Sequence, residues 1–258
     1  MAQSIFSETL PEVVETLQQE LAGEMVAIYG RQQAPFEYLV ILFDTDLIHL
    51  EHLRALYQRI KPLGKFHLIA YSDLLNQISS QSLQIVGFAY QMQLLWGQDV
   101  LADHVIGLSH LSDALEKGLN QELNQLKSEF LEAPVPLSVG PVLKNSWLRF
   151  ENQLLPGLML ISGILTPPPP LWENLARAFS LPQEKIFQQL KALTQTDTAE
   201  SQNLWQLCLA WEEALKTLIF QSYKFAGHLQ DKEVSLGQIA GLGALLKPSF
   251  QRLWPTEE

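Results

Sequence analysis

Residues 24–44 read EMVAIYGRQQAPFEYLVILFD, and this stretch decides how the front of the chain folds. Two short apolar runs, EMVAIYG and FEYLVILFD, are rich in β-branched and aromatic residues and too short for independent helices, so both are expected as buried strands. Only RQQAP separates them, which suits a tight antiparallel hairpin. Upstream, Leu10, Val13, Val14, Leu17 and Leu21 recur at three- and four-residue steps with Glu and Gln between them. This predicts an amphipathic helix that starts near Thr9 and Pro11 and stops at Gly23. Downstream, TDLIHLEHLRALYQRIKPLG (45–64) carries helical spacing through Leu47, Leu50, Leu53, Leu56 and Ile60, with Gly64 as its stop. KFHLIAY (65–71) is expected as a third strand, leading to a turn at Ser72 and Asp73.

From Ser82 onward the pattern predicts helices only. LQIVGFAYQMQLLWG (83–97) reads as one, and LSHLSDALEKGLNQELNQLKSEFLE (108–132) as a long one. PVLKNSWLRFENQLLPGLMLISGIL (141–165), LWENLARAFSLPQEKIFQQLKAL (171–193) and NLWQLCLAWEEALKTLIF (203–220) follow. The last segment, SLGQIAGLGALLKPSFQRLW (235–254), holds Gly237, Gly241 and Gly243, a spacing that suits either close helix packing or frayed structure. EAPVPLSVGP (132–141) and the proline run Thr166–Pro170 are natural breaks, because consecutive prolines have no amide hydrogens to give a helix. Strands first and helices second predict an α/β (α+β) domain with a small mixed sheet over 1–100, followed by an all-α helical bundle over 101–258.

The 258 residues carry 28 acidic against 17 basic side chains, a formal charge of −11. Such a balance repels phosphate backbones and anionic membrane surfaces, and no run of Lys and Arg interrupts it, so neither nucleic acid nor membrane is expected as a partner. No apolar stretch approaches the ~20 residues needed to span a bilayer, and MAQSIFSETLPEVVETLQQ lacks the basic start and apolar run of a signal peptide. A cytoplasmic protein is the expectation. The single cysteine, Cys208, can form neither an internal disulfide nor a multi-cysteine metal site and is expected as a buried packing residue.

Motifs that would announce a chemistry are missing. His49 and His52 stand one helical turn apart, but no third and fourth ligand accompanies them. Asp44 and Asp46 would suit a hard cation, although surface polarity explains them better. There is no G-x-S-x-G, no G-x-x-x-x-G-K and no G-x-G-x-x-G following a strand. Trp147, Trp172, Trp205, Trp211 and Trp254 gather in the back half. They suit either core packing or a protein-binding surface.

The order of the front elements resembles the minimal nucleotidyltransferase domain of the DNA polymerase β-like superfamily: a helix, a strand ending in AIYG, the strand LVILFD, a helix, the strand KFHLIAY and a helix ending LWGQDVL. Members commonly carry a helical domain behind, which the back half resembles. The resemblance implies a Gly-Ser turn for the phosphates and an Asp-x-Asp pair plus a third carboxylate holding two Mg²⁺ ions. Here Gly30-Arg31 fills the Gly-Ser position, Phe36-Glu37-Tyr38 stands where the acidic pair should be, and His67 falls at the third acidic position. The implied reading is a catalytically inert nucleotidyltransferase-like binding or regulatory module, without cofactor, that engages a protein partner or a nucleotide. Its residual pocket would comprise Gly30, Arg31, Glu37, His67 and Asp73, either open or filled by Phe36 and Tyr38. A guanidinium at Arg31 can replace a metal's positive charge toward phosphate, or can be a solvated turn residue. The alternative is an active transferase, using NTP and Mg²⁺, built on the displaced carboxylates Glu37, Asp44, Asp46 and Asp73.

Overall fold

Strand β1 (Met25–Arg31) and strand β2 (Glu37–Leu42) form the antiparallel hairpin that their apolar runs predict, with Ile28 opposite Val40, Gly30 opposite Tyr38 and Arg31 opposite Glu37. These positions come from a computed structural model, which describes residues 6–21, 23–31, 37–45, 47–79, 83–133, 139–164, 170–195, 201–226, 228–229 and 232–246. Phe36, Asp46, Trp254 and Thr166–Pro169 lie outside the described residues, as do the side chains of His49 and His52.

Helix α1 spans Phe6–Glu20, beginning earlier than the Thr9–Pro11 signal, and the chain leaves it at Gly23 with φ +88°, a left-handed value that favours glycine. Helix α2 (Leu47–Ile60) and a 3₁₀ turn (Lys61–Leu63) lead to β3 (Lys65–Ala70), which pairs in parallel with β2. Gly64 ends that turn with extended backbone (φ 163°) rather than a left-handed cap. No separate turn follows β3: Tyr71–Ser79 is helix α3, and Asp73 sits in its first turn.

The stretch 83–97 corrects the all-helix expectation. Helix α4 (Leu83–Gln91) stops where the Met92 amide bonds the Phe88 carbonyl, and Gln93–Gly97 becomes β4, antiparallel to β1. The sheet order is β3-β2-β1-β4, so β4 is an edge strand and its alternation is only partly buried. Gly97 explains the close approach: its φ is +90°, and a Cβ there would meet the Val26 carbonyl and lie 2.9 Å from Ala27 Cα. Strands also recur later, as β5 (Val105–Gly107) paired with β6 (Glu233–Ser235), each too short for its period to show in sequence.

The chain forms two compact units. One comprises Met1–Ser80, Phe88–His104 and Ser235–Glu258, the other Gln81–Gly87 and Val105–Val234. The first therefore takes in α11 (Leu236–Leu246), where a Cβ on Gly237 would lie 3.0 Å from the Ala102 carbonyl. One core cluster lies on one face of the sheet, where Val13 and Leu17 from α1, Leu21 just after it and Leu53, Leu56 and Ile60 from α2 meet Ile28, Tyr38, Val40, Leu42 and Phe66, while Ala27, Tyr29, Leu39 and Ile41 are buried on the other face.

The second unit is mostly helical, with β5 as its short strand. It contains α5 (Leu108–Glu132), α6 (Val139–Arg149), α7 (Leu155–Ser162), α8 (Pro170–Ala178), α9 (Ile186–Gln195) and α10 (Ser201–Ala226). Between α6 and α7 the helix widens to a π turn over Phe150–Leu154, where the Leu155 amide bonds the Phe150 carbonyl. Pro156 has no amide hydrogen to continue an ordinary ladder across this point. Trp147, Phe150, Trp172, Phe187 and Trp211 stack into the core; the Phe150 and Trp211 rings stand perpendicular with centroids 4.9 Å apart. Three of the five tryptophans are thus packing residues, whereas Trp205 is exposed. Cys208 is buried and free, and burial raises its thiol pKa, with the Glu212 charge adding to the effect.

A buried polar network crosses this core. The Trp211 indole donates to Ser146 Oγ at 2.8 Å, and Ser146 donates to Glu122 Oε1 at 2.7 Å. Arg149 grips both Glu122 oxygens at 2.8 and 2.9 Å and reaches Glu129 at 2.7 Å. Burial pulls the guanidinium pKa down, but the two carboxylates outweigh it and hold the group above its ordinary value.

Candidate functional site

The strand pleat sorts the candidate residues between the two faces of the sheet. Gly30 and Tyr38 are cross-strand neighbours on the face that packs against α1 and α2. A Cβ at position 30 would collide with the Leu95 side chain and lie 3.4 Å from the Tyr38 ring. Tyr38 is itself stacked on Phe66, with centroids 4.7 Å apart and planes 12° from parallel, and burial pushes its phenol pKa up to about 12. Tyr38 therefore fills the core beneath Gly30 and does not plug the opposite face.

Arg31, Glu37, Lys65 and His67 alternate onto that opposite face. Antiparallel pairing sets Arg31 opposite Glu37, and parallel pairing sets Glu37 beside Lys65 and Leu39 beside His67. Side chains two apart on β3 reach the same carboxylate: His67 Nε2 lies 2.6 Å and Lys65 Nζ 3.2 Å from Glu37 Oε1. Burial raises the Glu37 pKa, yet the hydrogen bonds from His67 and Lys65 and the Lys65 charge lower it more, so the net position is below its ordinary value. An ionised carboxylate only accepts, so His67 Nε2 is the protonated nitrogen of this contact. The imidazole also leans on Phe88, with centroids 5.6 Å apart. Arg31 Nε is buried and meets no hydrogen-bond partner among the described residues.

The remaining carboxylates stand elsewhere. Asp73 is exposed in α3, just past Ala70, which pairs with Leu42 at the far end of β2 from Glu37. Asp44 follows that same far end, and its Oδ1 accepts the Thr45 amide at 2.7 Å. Glu37 thus starts β2, whereas Asp44 and Asp73 lie beyond the ends of β2 and β3. Neither stands at the Glu37 end.

Lys65 is a member of the cluster that sequence reasoning missed. Its only signal was position, since β2–β3 register makes it the neighbour of Glu37. Tyr29, on the same face as Arg31, was also missed; its hydroxyl donates to Asp99 Oδ1 at 2.9 Å and accepts the Leu101 amide at 3.3 Å. Burial and the Asp99 carboxylate both raise its pKa, so it stays a neutral donor.

A divalent cation does not fit this donor set. Hard cations need several converging oxygens, whereas the one carboxylate here is held by an ammonium and an imidazole. Among the described residues no group of three or more His, Cys, Asp or Glu is placed to hold a metal ion. Among the same residues no helix is long and apolar enough to cross a membrane.

No protein-family model matches the chain, and no curated protein matches it. Among solved structures it is similar to a spectinomycin adenyltransferase, AAD(9) from Enterococcus faecialis, seen with ATP and spectinomycin. The identity is 12 % and the TM-score 0.42, over 81 % of this chain and 98 % of that one.

Proposed function

We propose that this chain is a catalytically inert, nucleotidyltransferase-like protein that binds a nucleoside triphosphate without a divalent metal and serves as a binding or regulatory module. The observation that carries this reading is the Glu37 carboxylate tied to His67 at 2.6 Å and Lys65 at 3.2 Å, with Arg31 opposite it in the hairpin. Lys65 and His67 hold the single carboxylate and Arg31 stands opposite it across the hairpin, so at this corner of an acidic chain cationic groups outnumber the one carboxylate. Its groups are donors suited to phosphate oxygens, and the guanidinium offers a planar fork. The corner also adjoins Gly30-Arg31 at the end of β1, the position at which the resemblance implies a phosphate-binding turn.

Thermal shift tests the reading. ATP, GTP, CTP or UTP in EDTA is expected to raise the melting temperature of the wild-type protein. The shift should be lost in Arg31→Ala while far-UV circular dichroism shows that the variant stays folded. A melting temperature unmoved by all four nucleotides would reject nucleotide binding.

A further inference from the structure

We infer that α10 is the contact face of a homodimer, in which two copies of this chain pair the helix antiparallel about a two-fold axis near Ala214. One side of α10 presents Trp205, Leu209, Phe220 and Tyr223, each between 46 % and 70 % exposed. At 100° per residue these four lie within about 60° of one another, and the stripe runs about 27 Å from Trp205 to Tyr223. Their exposed area is on the order of 500 Å², at the upper end of the apolar patches that single domains leave in water and that often serve a contact. It is also most of the ~800 Å² that each partner contributes to a standard interface.

What selects a second copy as the occupant is the order of charges within the stripe. Glu212 and Lys216 sit on the same side, joined by a 2.8 Å ion pair, and they lie two residues either side of Ala214. Trp205 and Tyr223 lie nine residues either side of it, and Leu209 and Phe220 are centred half a residue away. Antiparallel pairing about that centre sets Glu212 against the other copy's Lys216 and Lys216 against its Glu212. At the same time Trp205 meets Tyr223 and Leu209 meets Phe220 at both ends. A parallel pair would instead oppose Glu212 to Glu212. The stripe is self-complementary in one orientation only, as an isologous two-fold contact requires. The ends are further shaped by Phe130, 5.3 Å from Trp205, and by Lys224, 4.3 Å above the Phe220 ring.

The test uses the full chain in sedimentation equilibrium at concentrations on the order of tens of micromolar. The wild-type protein is expected at twice the 29.2 kDa chain mass. Glu212→Lys and Lys216→Glu each place like charges across the axis, so each alone should dissociate about a hundredfold more readily. Far-UV circular dichroism establishes that each variant remains helical. Mixed together, the Lys-Lys and Glu-Glu stripes are complementary in the antiparallel register, and the mixture should recover the dimer mass. A monomeric wild-type protein, or single variants that stay dimeric, or folded variants that fail to associate when mixed would each overturn the inference.

Discussion

Replacing Glu37 with Gln should strengthen metal-free nucleotide binding, the opposite of what a metal-holding carboxylate would show. Gln keeps the shape and a carbonyl oxygen that accepts from Lys65 and His67, so the corner stays assembled while its one negative charge is removed. A phosphate oxygen held by Lys65 Nζ, itself 3.2 Å from Glu37 Oε1, would lie roughly 6 Å from that carboxylate. At that separation two unit charges repel by about 0.7 kcal/mol in water and about 3 kcal/mol at an effective dielectric of 20. Lys65 is 67 % exposed, against 21 % for Glu37, so screening pulls the value toward the lower limit. A gain of about 1 kcal/mol corresponds to roughly fivefold tighter ATP binding. Isothermal titration calorimetry of both proteins in EDTA at pH 7 reads this directly. Weaker binding by Glu37→Gln, with the variant shown to be folded at the titration temperature, would refute the charge reasoning.

Other consequences follow from the same structure. Arg149→Met leaves Glu122 buried with Ser146 as its remaining partner and should lower stability by about 3–5 kcal/mol. Calorimetry should show a melting temperature lower by about 10 °C; a loss under ~1 kcal/mol would show that the pair is not desolvated. Gly97→Ala forces a side chain into a left-handed backbone position against Val26 and Ala27. It should cost at least about 2 kcal/mol in urea unfolding, and a neutral result would contradict the β1–β4 register. The Glu37 pKa is depressed in the folded chain, so its stabilising contribution is complete above the ordinary glutamate range near ~4.3 and is lost as pH falls through the lower folded value. The wild-type protein should therefore lose more stability than Glu37→Gln on descending through that window, and parallel stability–pH curves would remove the argument.

The hairpin, α2, β3 and the long helices α5 and α10 were legible because each satisfies its own period: continuous apolar runs for buried strands, three- and four-residue steps for helices. QLLWG was not, because it continues the apolar run of α4 without a turn residue between them. Only tertiary pairing with β1 makes it a strand. The three-residue strands β5 and β6 are too short to carry a pattern. At the candidate site, Glu37 and His67 were drawn together by resemblance alone, since 30 residues separate them and no local spacing joins them. Lys65 stayed hidden because a lysine at a strand's start looks like ordinary surface polarity. Gly30 was grouped with them because Gly30-Arg31 fills the Gly-Ser position of the resemblance, yet the two-residue pleat puts position 30 on the other face. The Glu122–Arg149–Ser146–Trp211 network left no trace in sequence, because its members come from three helices whose packing only the fold decides.

The most direct measurement is the ATP dissociation constant of one wild-type preparation, taken in EDTA and again in excess Mg²⁺. A corner that holds triphosphate by Arg31, Lys65 and His67 should bind free ATP at least as tightly as its magnesium complex, because free ATP carries more negative charge to meet them. Binding seen only with Mg²⁺ and abolished by Glu37→Gln would mean that the carboxylate holds a metal after all, and would contradict the proposal.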